Sequence, residues 1–218
     1  MKRLHFKGFT LAEVLVTLAI VGVIAAIAIP TLLQATGNIE KETMLKQRFA
    51  ELSLVYRQII FDNGSVEGLF STNEELMNLF ADHLQNARIC HSIAGDGACW
   101  HKANEWYYGR KGVNIASPET NQSSIIMNNG TMLVILAFDS NCQSSNELKQ
   151  NIGCGRIRMD INGQTSPNIV GRDIFDFYIL KNRIIPRGSD LTTSDAANCG
   201  KTDYWACAAR VLHGGMNY

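Results

Sequence analysis

Between Val14 and Ile29 the chain reads VLVTLAIVGVIAAIAI, with no charged side chain and with Thr17 as its only clearly polar one. Phe9 to Leu11 ahead of this run and Leu32 and Leu33 behind it extend the apolar segment to about 25 residues, and at about 1.5 Å per helical residue that crosses a hydrocarbon core of about 30 Å. Lys2, Arg3 and Lys7 precede it with no acid among residues 1–8. Such a basic cluster stays on the cytoplasmic side and sends the rest of the chain outside. An ordinary secretory signal would place a small-residue cleavage site after the apolar stretch. Here the stretch runs into Pro30-Thr31-Leu32-Leu33 instead, so removal of the whole segment is the weaker reading.

Glu13 stands at the head of this segment. A carboxylate costs several kcal/mol in lipid unless it is hydrated or paired. Either Glu13 lies at the interface in contact with water, or it pairs with a cation made by processing. Cleavage between Gly8 and Phe9 would create such a cation, the α-amino group of Phe9, for Glu13 of a neighbouring subunit to neutralise. A short basic tip, Lys7-Gly8-Phe9-Thr10-Leu11-Ala12-Glu13 and a long apolar run together resemble the class III leader of type IV pilins and type II secretion pseudopilins. The resemblance is strong over roughly residues 1–35. It implies that a prepilin peptidase cuts after Gly8 and methylates Phe9, and that Phe9 and Glu13 set the register of assembly. Loss of residues 1–8 with their three basic side chains would take the 20 Lys and Arg to 17, against 20 acidic residues, a net charge of −3.

Beyond the membrane segment, Pro30 removes a backbone donor and crowds the preceding turn, so a kink or local unwinding is expected there. Family members that this chain resembles have a proline near that place, where the helix melts on assembly. Leu45, Phe49, Leu52, Tyr56 and Ile59 then recur at helical spacing, and Asp62-Asn63-Gly64 supplies a stop. One helix from about Phe9 to Phe61 is expected, its second half packed on a head through that stripe. This divides the chain into a leader at 1–8, a transmembrane or filament-core helix at 9–33, its amphipathic continuation at 34–61 and a globular α+β head at 62–218.

In the head, Ser71-Thr72-Asn73-Glu74 has the form of a capping box, which predicts a second helix near 72–86. The stretch 88–124 reads as irregular and carries Trp100, Trp106, Tyr107 and Tyr108, aromatics that either pack beneath a disulfide loop or mark a binding surface. Ile125 to Met127, a turn at Asn129-Gly130, and Thr131 to Phe138 read as a β-hairpin. Ile157, Met159 and Ile161 alternate with Arg156, Arg158 and Asp160, the pattern of a half-buried strand. Phe175, Phe177 and Ile179 mark another, and a last short helix is placed at Asp203 to Leu212. The result is an α+β chain whose long helix packs on an antiparallel sheet of three to five strands, the roll that the pilin resemblance also implies.

Cys90, Cys99, Cys142, Cys154, Cys199 and Cys207 all lie in the part assigned to the outside, where an even set reads as disulfides. Close spacing favours 90–99, 142–154 and 199–207, loops worth about 2–3 kcal/mol each in the chain-entropy account. Zinc on Cys90-His91 and Cys99-Trp100-His101 is the rival, but neither spacing matches a common zinc framework. Asp160, Asn162 and Asp173, with loop carbonyls, offer oxygen ligands for Ca2+. Major pseudopilins of type II secretion are similar in carrying a calcium loop in their C-terminal region. The competing reading is that Asp, Asn, Gly and Pro simply make turns here.

Five histidines and many serines form no nucleophile elbow, zinc-protease motif or phosphate loop, so a structural subunit rather than an enzyme is expected. Equal numbers of acidic and basic side chains give no electrostatic footprint for nucleic acid. Implied partners are other pilin or pseudopilin subunits, the prepilin peptidase and the inner-membrane assembly machinery. The implied location is the inner membrane before assembly and a periplasmic or extracellular filament after it. Two alternatives stay open, a membrane-tethered binding module and a minor tip pilin acting in adhesion or DNA uptake.

Overall fold

A computed structural model describes residues 9–91, 99–102, 104–109, 113–114 and 123–218. The leader at 1–8 and parts of the irregular stretch 88–124 lie outside the described residues. The chain divides into two compact units, Met1–Glu40 and Lys41–Tyr218. Helix α1 runs from Leu11 to Asn63 and passes through Pro30 and Gly37 without interruption, so the expected local unwinding at Pro30 is not a feature of the single chain. Gly64, at φ 77°, ends the helix by donating its N–H to the Ile60 carbonyl, a left-handed position that glycine occupies without penalty.

From Phe9 to Leu33 every side chain of the first unit is exposed except half-buried Ala25. α1 is long and apolar enough to cross a membrane, its most apolar stretch having a mean hydropathy of 2.6. Thr17 and Thr31 turn their hydroxyls onto the carbonyls of Val14 and Ala28, so neither leaves a bare polar group on the apolar surface.

The second unit is α+β. Helix α2 (Asn73–Ala81) and helix α3 (Cys207–Gly214) flank a sheet that has nine strands among the described residues. Its strands are β1 (Arg88–Cys90), β2 (Tyr107–Tyr108), β3 (Val113–Asn114), β4 (Ser123–Ile126), β5 (Met132–Ala137), β6 (Gly153–Asp160), β7 (Ile169–Val170), β8 (Ile174–Leu180) and β9 (Ile184–Pro186). They lie in the order β1-β4-β5-β6-β8-β7-β2-β3, with β9 also on β8. The centre is antiparallel, but β7 runs parallel to both β2 and β8, so the sheet is mixed rather than wholly antiparallel. The cause is local. Gly171 at φ 85° donates to the Ile174 carbonyl, and Asp173 N–H donates to Ile169, which turns the chain within three residues and sets Val170 beside Ile174.

One sheet face receives the lower half of α1. Leu45, Leu52, Tyr56 and Ile59 are buried against Leu133, Ile157, Met159, Phe175 and Phe177, and Phe49 stacks on Phe177 at 5.1 Å. Tyr56 donates its hydroxyl to the Leu180 carbonyl. The predicted stripe is therefore the packed face, and hydrophobic burial holds it there. α2 begins one residue later than the sequence pattern suggested, with Thr72 and Glu75 as the reciprocal cap, and ends at Ala81 rather than near 86.

The opposite face is also covered. Trp100 and Trp106 bury Met132, Val134, Val170 and Ile174, while Leu148, Tyr178, Leu180 and Ile185 form a third cluster. β6, expected to be half-buried, therefore has Arg158 and Asp160 buried as well, with Arg156 half-buried.

The end of α1 is also joined to the turn after α2 by a titratable contact. His83 Nε2 lies 3.0 Å from Asp62 Oδ2, and its Nδ1 lies 2.9 Å from the Leu79 carbonyl. Both partners are acceptors, so only the imidazolium donates to both. The hydrogen bond to Asp62 chiefly raises His83 above its ordinary 6.5, and the same bond lowers Asp62 below 3.8. His83 therefore contributes stability that is complete below 6.5 and lost as pH rises through its raised value. Asp62 contributes above 3.8 and loses its share as pH falls through its lowered value. The difference in Tm between the wild type and His83→Gln should be largest between those limits and shrink at higher pH, as measured by circular dichroism melts across a pH series.

Candidate functional site

The polar end of the apolar helix has a defined geometry. Thr10 precedes the first helical residue, and its hydroxyl accepts the Glu13 N–H at 3.3 Å. Glu13 Oε2 reaches back to accept both the Thr10 N–H and the Thr10 hydroxyl, each at 2.9 Å. This is a reciprocal capping box, and it satisfies donors that a helix N-terminus leaves bare. Among the described residues Glu13 Oε1 takes no partner. Phe9, 88% exposed, sits just outside the cap. Residues 3–29 match the family model for the prokaryotic N-terminal methylation motif. The chain carries a class III prepilin leader. No curated protein and no solved structure matches the chain.

That leader is the mark of type IV pilin- and pseudopilin-like substrates of prepilin peptidase, a group of structural subunits that assemble with other pilins. With the apolar helix behind it, the leader fits a membrane-anchored pilin. Gly8 lies outside the described residues, Phe9 sits just outside the cap, and Glu13 forms half of it. Thr10 is the residue that the sequence reading missed. Its signal was present, since Thr10-Leu11-Ala12-Glu13 has the same Thr-x-x-Glu form that marks Thr72 and Glu75.

In the head, the structure joins Cys90 to Cys99, Cys142 to Cys154 and Cys199 to Cys207. The three oxygen-bearing residues considered for calcium lie near one another, with Ile161 N–H donating to the Asp173 carbonyl, and each has contacts within the protein. Asp160 Oδ2 lies 2.7 Å from His101 Nε2, both side chains fully buried, and its Oδ1 accepts the Asn162 N–H. Burial raises Asp160 despite the hydrogen bond from His101. Asp173 is buried against Lys41 and accepts the Ile169 N–H. Asn162 donates its side-chain amide to the Thr165 carbonyl at 2.7 Å. Each carboxylate thus pairs with a basic side chain, Asp160 with His101 and Asp173 with Lys41. Among the described residues no group of three or more His, Cys, Asp or Glu is arranged to hold a metal ion.

The polar alternation of β6 resolves into an ion-pair lattice with β8. Arg158 grips Asp176 through two hydrogen bonds of 2.8 and 3.1 Å, and its guanidinium lies 4.0 Å over the Trp205 ring. Arg187 joins Asp176 at 3.5 Å and Glu147 at 3.1 Å, and Glu147 also accepts the Tyr178 hydroxyl at 2.6 Å. Burial opposes the charge on Asp176, but the guanidinium of Arg158, with Arg156 and Arg187 nearby, outweighs it and holds the carboxyl below its usual range. Breaking such a pair from one side strands a buried charge. Arg158→Met should therefore destabilise the head by about 3–5 kcal/mol in urea denaturation. The double variant Arg158→Met with Asp176→Leu should recover most of that loss.

Proposed function

We propose that the chain is a structural subunit of a type IV pilus or a type II secretion pseudopilus. Prepilin peptidase would cut between Gly8 and Phe9 and methylate Phe9, and the mature chain would wait in the inner membrane until stacked through α1. The observation that carries this reading is a helix segment apolar on all sides, uncovered by its own chain, and headed by a capped glutamate. An all-round apolar helix requires lipid or other helices around it. Moving from lipid to a bundle of like helices exchanges one apolar environment for another, so the register must come from polar groups at its end.

Glu13 has the chemistry for that role. Oε2 serves its own helix, which leaves Oε1 for the Phe9 amine of a neighbour. Pairing would offset the desolvation of both charges on entry into an apolar surround. Melting at Pro30 belongs to this assembly step, since Pro30 leaves the Ala26 carbonyl without its helical donor.

Mass spectrometry of the membrane-extracted chain should find Phe9 as a methylated first residue, and recovery of chains beginning at Met1 would instead favour a tethered module. Two variants separate capping from charge. Glu13→Gln keeps an acceptor for Thr10 but loses the charge, whereas Glu13→Val loses both. Both should be processed normally and both should fall out of filaments in sheared preparations. If Glu13→Gln assembles like the wild type while Glu13→Val does not, the cap matters and the charge pair is wrong.

A further inference from the structure

The three disulfides of the head differ in their surroundings. Cys142, Cys154, Cys199 and Cys207 belong to the core cluster packed against α1 and α2, and none is more than 4% exposed. Cys90–Cys99 lies instead in the smaller aromatic cluster on the other face. Its first half is on β1, which among the described residues is the outermost strand at that end of the sheet. Cys90 is 9% exposed, the most of the six, and its sequence neighbours Arg88, Ile89 and His91 are exposed. The open edge of the sheet is therefore the approach to this bridge, and Cys90 is the half that an incoming group meets.

A charge distinguishes the other half. Arg88 Nη2 donates to Cys99 Sγ at 3.3 Å. Arg88 and Cys90 are two positions apart on one strand and so share a face, which sets the cation beside the bridge. A guanidinium there stabilises a thiolate, and a disulfide breaks faster toward the sulfur that leaves as the more stable thiolate. β4 holds both halves. Cys90 pairs with Ser124 in the antiparallel register, and the Ser124 hydroxyl donates to the Cys99 carbonyl at 3.3 Å. Both cysteines stay placed against one residue when the S–S bond is open, which favours closing it again. We propose that Cys90–Cys99 is a thiol–disulfide exchange site for an external dithiol, with Cys90 attacked and Cys99 leaving. A thiolate of the dithiol forms a new S–S bond to Cys90 Sγ, and the Cys90–Cys99 bond breaks with its electron pair on Cys99 beside Arg88. The second thiol of the dithiol loses its proton to solvent and attacks its partner sulfur in the mixed disulfide. Cys90 is released as a thiolate that takes a proton from water, and the dithiol departs as a disulfide, having given two electrons to the bridge.

Alkylation mapping tests this on the full mature chain in detergent micelles. Dithiothreitol opens the bridges, N-ethylmaleimide caps the thiols at timed intervals, and mass spectrometry of peptides reads which cysteines are capped. Cys90 and Cys99 should be capped about tenfold faster than the other four, with the far-UV circular dichroism unchanged. Arg88 is exposed, so its substitution keeps the fold. Arg88→Gln should slow capping of this pair about tenfold and leave the other two pairs as they were, whereas Arg88→Lys, which keeps the cation, should retain most of the rate. Glutathione, a monothiol that stops at the mixed disulfide, should be found on Cys90. Capping of all three pairs together, earlier capping of either other pair, an unchanged rate in Arg88→Gln, or glutathione on Cys99 would each overturn the proposal. None of these results depends on whether the chain forms filaments.

Discussion

A helix segment that is apolar on every side cannot be satisfied by water, and between Phe9 and Leu33 this chain offers it no cover of its own. That constraint divides the molecule by solvent. The segment carries its own backbone hydrogen bonds, turns its threonine hydroxyls onto helix carbonyls, and has its first turn closed by Thr10 and Glu13. Most of what a helix needs for a non-aqueous environment is thus supplied within the helix itself. What remains is the Ala26 carbonyl that Pro30 leaves without its helical donor and one oxygen of the Glu13 carboxylate, the atom that the proposed assembly would use.

The head solves the opposite problem, a sheet with both faces buried. Helix α1 covers one face with an aliphatic and aromatic stripe, as ordinary core packing. The other lies under loops that cannot supply an aliphatic layer of that size, and there the sheet buries charge. Arg158, Asp176, Arg187 and Glu147 neutralise one another, with the guanidinium of Arg158 lying 4.0 Å over the Trp205 ring. Such lattices add little over a well-packed apolar core, yet they permit few arrangements. A rigid loop layer on a sheet face is the consequence.

Periodicity carried most of the fold. The α1 stripe, the hairpin at Asn129-Gly130 and the strands around Ile157 and Phe177 were all legible because each repeats over enough residues to set a phase. The two-residue strands β2 and β7, and with them the parallel pairings, lie below the length at which a period exists. Alternation in β6 correctly separated two faces but not their surroundings. An arginine at every second position reads as solvent-facing until a partner from a distant strand and a tryptophan from the last loop are known. The candidate site is legible for the opposite reason: the leader motif is contiguous and can be read directly, with no contact between distant residues required.

Within the head, the buried carboxylates are answered by the protein itself. Asp176 and Asp173 are answered by Arg158 and Lys41, and Thr72 and Glu75 answer each other. Asp160 is answered by His101, at the cost of a carboxyl pushed toward its neutral form. Glu13, exposed at the head of the apolar helix, is answered at one oxygen by Thr10. Desolvating a carboxylate without compensation is unfavourable, so on the proposed assembly the complement of Glu13 must be a charge that is itself seeking neutralisation.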